Sequence, residues 1–174
     1  MTRSRALLLA GIGIFVVGAC NGRGEQRTTN SKASAAPVVA RSKAKPQLLK
    51  RKDRRAPLEQ FVQQHVEEAD AQGMRVLVYV GADWCEPCKR FHKAFDSGEL
   101  DEVLAGTKFV EFDADRDRRE LRAAGYASQY IPSFAVPEHS GHASGRSIEG
   151  SIKGDDAVKK DLVPRLLALL DGQG

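Results

Sequence analysis

The sequence predicts an α/β domain, a mixed sheet flanked by helices, confined to residues 58–174. Three observations carry this. Ten of the eleven aromatic side chains fall at or after Phe61, and aromatics dominate a core. From there on, helical and strand patterns alternate, as they do when helices cover a sheet. The last two strand patterns are joined by a short loop, so the sheet ends in a hairpin and is mixed. With 174 residues in all, the chain has room for one ordinary domain.

Residues 57–73 read as the first helix. Proline opens it, glycine closes it, and Leu58, Phe61, Val62, Val66 and Ala69 share one face. His65 lies on that stripe and reads as a packing histidine. Residues 75–80 are a continuous β-rich apolar run, the pattern of a strand buried on both faces. After a turn at 81–83, a helix opens at Trp84 with Phe91, Ala94 and Phe95 inward, is interrupted at Ser97-Gly98, and is followed by a short helical piece over 99–105. Residues 108–113 form the second strand. Asp115 or Asp117 caps a helix that closes at Gly125. Residues 133–136 and 146–152 are two further strands. The final helix begins near Asp155 with Val158, Leu162, Leu166 and Leu169 or Leu170 on one face; Pro164 means that it either kinks or starts late.

The segment before the domain has a different character. Arg3 and Arg5 precede an unbroken apolar run over residues 6–19, the layout of a secretory signal peptide and shorter than the roughly 20 residues of a membrane span. Val17-Gly18-Ala19-Cys20 resembles the lipobox of bacterial lipoproteins. That resemblance implies a signal peptide over 1–19, a lipidated Cys20 as the new N-terminus and a bacterial cell envelope location facing the periplasm. Asn21, which is not the aspartate that favours inner-membrane retention, points weakly to the outer membrane. Residues 20–57 hold 11 Lys or Arg against Glu25 and Asp53 and no aromatic, so they read as a disordered basic linker. Its densest run, 50–55, is either a contact with anionic lipid or a solvated charge run; behind a signal peptide, nucleic acid is not an expected partner. Residues 58–174 hold 14 basic against 21 acidic side chains. The expectation is an acidic domain on a basic leash.

The chemistry is concentrated where the first strand meets its helix. Trp84-Cys85-Glu86-Pro87-Cys88 places Cys85 at a helix N-terminus, where unpaired N–H groups stabilise a thiolate. Cys88 is one turn along and suited to attack a mixed disulfide formed at Cys85. Pro87 fixes the first turn, and Lys89 adds positive charge. After a strand in an α/β pattern, C-x-x-C is a redox motif. Three cysteines in total exclude a disulfide-dense scaffold and a four-cysteine zinc site.

Residues 82–89, Ala-Asp-Trp-Cys-Glu-Pro-Cys-Lys, resemble the active site of the thioredoxin family, and Tyr130-Ile131-Pro132-Ser133-Phe134 resembles that family's cis-proline loop. The resemblance spans roughly residues 58–172. It implies a thioredoxin fold with a central four-stranded sheet, lacking the usual extra first strand, and thiol-disulfide oxidoreductase activity without a cofactor. It also implies that Pro132 is cis and that Ile131 contributes backbone contact to substrate, with Trp84, Glu86 and Pro87 supporting the cysteines. One position departs from the family, whose members bury an aspartate six residues before the first cysteine. Tyr79 stands there and reads as a strand core residue, so resolution is slower, or a water or Glu86 assists it.

Glu86, negative between the cysteines, disfavours the thiolate and so favours the disulfide form, which makes the protein a reductant. The expected partners are disulfide-containing envelope proteins, an upstream membrane electron donor and the membrane itself through the anchor. The rival readings are a disulfide oxidase or isomerase, and a metal-binding or delivery module using Cys85, Cys88 and His92.

Overall fold

A computed structural model describes residues 42–172; the expected signal segment, Cys20 and the first part of the linker lie outside the described residues. The first described element corrects the sequence reading. Residues assigned above to a disordered tether form strand β1 (Gln47–Lys50), paired in parallel with β3 (Thr107–Asp113). Leu48 packs against the core on one face of the sheet. The basic side chain that follows is not solvated either: Arg51 is 7% exposed and donates to Glu120 Oε2 at 2.6 Å and to the Ala56 carbonyl. The sheet therefore has five strands rather than four, and the ordered chain begins before residue 58.

Helix α1 (Leu58–Ala71) buries Leu58, Val62, Val66 and Ala69. Gly73, at φ 64, turns the chain, and Met74 N–H donates back to the Ala69 carbonyl at 2.9 Å. His65 packs edge-on against Phe61 at 4.5 Å, in keeping with a packing role. Strand β2 (Arg75–Gly81) follows at the centre of the sheet. It is parallel to β3 on one side and antiparallel to β4 (Ser133–Pro137) on the other, and β4 pairs antiparallel with β5 (Ala143–Glu149). The order is β1-β3-β2-β4-β5.

Alternate residues of β2 face opposite ways. Leu77 and Tyr79 enter one core with Phe91, Phe109 and Phe134, whereas Val76, Val78 and Val80 enter the other with Val110 and Phe112. A strand buried on both faces needs apolar residues at both parities, hence its unbroken pattern. Helix α2 (Glu86–Asp96) and α4 (Val163–Leu170) cover the first face; α1 and α3 (Arg118–Ala123) cover the second. This is the thioredoxin fold expected from the motifs, with one strand added at the edge.

Smaller departures have local causes. Residues 99–105 form successive turns rather than a helix, with Leu100 and Leu104 tucked into the core. Asp117 stands at the N-cap of α3, but its side chain accepts from Asp113 N–H at 2.9 Å instead of capping. β5 starts and stops three residues earlier than expected and ends before Gly150, at φ 70. Pro164 does not interrupt the helical run: a π turn over Val158–Leu162 leads directly into α4, leaving proline in the first turn of α4. Among the described residues no helix is long and apolar enough to cross a membrane.

Candidate active site

The C-terminal end of β2 positions the two cysteines. Cys85 is the N-cap of α2, with its N–H donating to the Ala82 carbonyl at 3.1 Å. Its Sγ accepts from Cys88 N–H at 3.2 Å, and the two sulfurs are joined in a disulfide of 2.08 Å. A sulfur at this place faces the helix's unpaired N–H groups, so negative charge developing on it is stabilised. Pro87 sits in the first turn, where a missing N–H costs nothing. Cys85 is 3% and Cys88 1% exposed.

Trp84 is 67% exposed, and its Nε1–H donates to Asp115 Oδ2 at 2.7 Å. Pro132 is cis, as the family motif implies. Because β4 runs antiparallel to β2 with Ser133 opposite Val80, the Ile131-Pro132 bond lies beside the end of β2, next to the cysteine turn. Trp84 and Ile131 line one groove of about 240 Å³ with Asp115, Arg118 and Arg122. The predicted site residues of the domain therefore gather at one end of the sheet. Glu86 is the exception in function: its side chain is largely exposed and its Oε1 lies 3.6 Å from Arg90 Nη1. It is not placed to assist Cys88 in its proton transfer.

Tyr79 is a core residue, fully buried, stacked on Phe134 at 4.9 Å and tilted against Phe91 at 5.1 Å. Burial first, and then the charge of Glu111, push its phenol above the ordinary value. Gly81 makes room for it. A Cβ there would lie 2.5 Å from Tyr79 Oη and 3.4 Å from Cys88 Sγ.

His92 is engaged elsewhere, with Nε2 3.1 Å from Glu111 Oε1. The three side chains of the metal reading do not converge, and among the described residues no group of three or more His, Cys, Asp or Glu is placed to hold a metal.

Sequence reasoning missed three contributors. Asp115 holds Trp84. Glu111 stands between His92 and Lys50, whose Nζ is 3.3 Å away. Glu149 holds the loop before the cis proline, accepting from Gln129 N–H at 3.0 Å, Tyr130 N–H at 3.2 Å and the Ser128 hydroxyl. A carboxylate at the end of a strand facing a Ser-Gln-Tyr turn was the available signal for the last.

Residues 58–137 match a family model described as thioredoxin-like. Over those residues the chain is similar to thioredoxin-like domains. No curated protein matches the chain. Among solved structures, it is similar to thioredoxin from Trichomonas vaginalis at 17% identity, covering 72% of this chain and 96% of that one with a TM-score of 0.44. Thioredoxin F from spinach chloroplast is 16% identical over 74% of this chain and 88% of its own, with a TM-score of 0.47. Oxidised thioredoxin from Plasmodium falciparum is 18% identical over 69% and 98%, with a TM-score of 0.42.

Proposed function

We propose that the protein is a thiol-disulfide oxidoreductase that reduces protein disulfides in a bacterial envelope, held to the membrane through lipid on Cys20. The observation that carries the chemistry is the Cys85 sulfur at the N-cap of α2, bonded to Cys88 one turn on. In the reduced protein, the Cys85 thiolate attacks a substrate disulfide and expels one substrate thiolate. Cys88 then loses its proton and attacks Cys85 Sγ, so the second substrate sulfur leaves with the electron pair. The protein ends as a disulfide and the substrate as a dithiol. An upstream membrane dithiol donor must supply the two electrons that reset it.

Exposed Trp84, fixed by Asp115, and Ile131 beside the cis proline form the surface on which an extended substrate chain docks. Glu86 supports the reducing direction, because a carboxylate beside Cys85 weakens the stabilisation of the thiolate and so favours the disulfide.

Equilibration of Cys85–Cys88 against a glutathione buffer tests the direction. A potential more negative than about −200 mV is expected, together with catalysis of insulin disulfide reduction; one near about −120 mV, the range of strongly oxidising relatives, would contradict it and favour the oxidase reading.

A further inference from the structure

Resolution of the mixed disulfide requires buried Cys88 to lose a proton, and the groups near enough to take it are few. Tyr79 Oη and Cys88 Sγ face one small space, the one that a side chain on Gly81 would fill. Strand register extends this into a row: Tyr79 lies opposite Glu111, and Glu111 opposite Lys50, so the three side chains stand on the sheet face that α2 covers. From α2, His92 comes one turn after Cys88 on the same helix face. Its ring lies 5.6 Å from that of Tyr79, and its Nε2 3.1 Å from Glu111 Oε1. Tyr79 Oη and Glu111 Oε2 are both buried with no hydrogen-bond partner among the described residues. Such atoms are costly to leave unmatched, and here two occur in one row beside the cysteine that must ionise. A cleft of about 580 Å³ lined by Gly81, His92 and Glu111 opens the Glu111 end of the row to solvent.

We propose that Glu111, held in place by His92 and Lys50, is the proton acceptor for Cys88, reached through the Tyr79 hydroxyl and the water of this cleft. The inference rests on the oxidoreductase reading and deepens it. As Cys88 S–H gives its proton to the Tyr79 oxygen, the hydroxyl passes its own proton to Glu111 Oε2, directly or by way of water. The Cys88 thiolate forms its bond to Cys85 Sγ, the substrate sulfur leaves with the electron pair, and Glu111 returns the proton to solvent through the cleft. Tyr79 stays neutral throughout, since burial disfavours its phenolate. Lys50 from β1 and His92 from α2 are the side chains that face Glu111 most closely. Lys89, Lys93 and Asp96 from α2, with Asp83 and Asp113 at the strand ends, line the same cleft.

The test is a rapid-mixing experiment with the reduced protein and a symmetrical aromatic disulfide that releases a coloured thiolate. The first release reports attack by Cys85, and the second reports resolution by Cys88. In Glu111→Gln, the second release is expected to slow relative to the first by on the order of 100-fold at neutral pH. The deficit should narrow as the pH is raised, because hydroxide in the cleft then takes the acceptor's place. Tyr79→Phe, which removes a single oxygen, should show the same pH-dependent lag and decides the matter if Glu111→Gln does not fold. Equal second releases in wild type and variant, or a deficit of the same size at every pH, would overturn the relay. A wild type with no first release would instead overturn the oxidoreductase reading on which the relay stands.

Discussion

Trp84 is a large side chain left in solvent and fixed by one hydrogen bond, to Asp115. Losing a bond of this kind costs about 1 kcal/mol. Asp115→Ala should therefore raise KM for a protein disulfide roughly five-fold and leave the rate with a small disulfide nearly unchanged, as steady-state kinetics with the two substrates would reveal. Gly81 has the opposite character, since what matters is what it lacks. Gly81→Ala sets a methyl group against a tyrosine ring already clamped between Phe91 and Phe134, and should lower stability in urea unfolding by about 1–3 kcal/mol, as overpacking does. Cys85, Cys88 and Pro132 were legible in the sequence because their chemistry is written in short local spacings. Asp115 and Glu111 were not, since their partners are brought to them by the pairing of β3 with β2 and β1; Trp84 and Asp115 are 31 positions apart.

Two elements owe their positions to charges that look like surface residues in the sequence. β1 is held by Arg51, whose side chain is 1% exposed between Glu120 and Asp117. Arg51→Ala removes its bonds to Glu120 and to the Ala56 carbonyl together with its buried packing, so it should destabilise by about 2 kcal/mol. Arg55→Ala, four residues on and paired with exposed Asp53 alone among the described residues, should change stability by less than about 0.5 kcal/mol. Comparing the two variants by thermal unfolding separates an integral strand from a tether. The strand was hidden because four residues in a basic run carry too few apolar side chains to show a period. The cis-proline loop depends on Glu149, whose carboxyl lies below the usual glutamate value because it accepts from Ser128, then Tyr130 and Gln129. A depressed carboxylate stabilises the fold above its unfolded value and loses that contribution as pH falls. Glu149→Gln should therefore weaken the domain at neutral pH and flatten the acid side of its stability profile, between roughly pH 5 and pH 3. A pH series of denaturant midpoints measures both effects.

For the whole molecule, β1 redraws the charge map. The sequence suggested an acidic domain on a basic leash, but residues 42–57 carry seven Lys or Arg against Asp53 alone, and they belong to the ordered part of the chain. Residues 42–172 hold 21 basic and 22 acidic side chains, so the described part of the chain is close to neutral rather than acidic. Alternating elements, both cores and the active-site end of the sheet followed from apolar periodicity and motif spacing. What did not follow was the edge strand and the polar row under α2, both of which exist only once distant segments pair. If Cys20 carries the lipid, Cys20→Ser should shift the protein from the membrane fraction to the soluble fraction, which fractionation and immunoblotting would follow. The central claim, that Cys85 attacks and Cys88 resolves, is tested most directly by mass spectrometry of Cys88→Ser incubated with a disulfide-bonded protein. A stable mixed disulfide mapped to Cys85 is expected, with none in Cys85→Ser; no adduct on Cys85, or an equal one on Cys88 when Cys85 is absent, would contradict it.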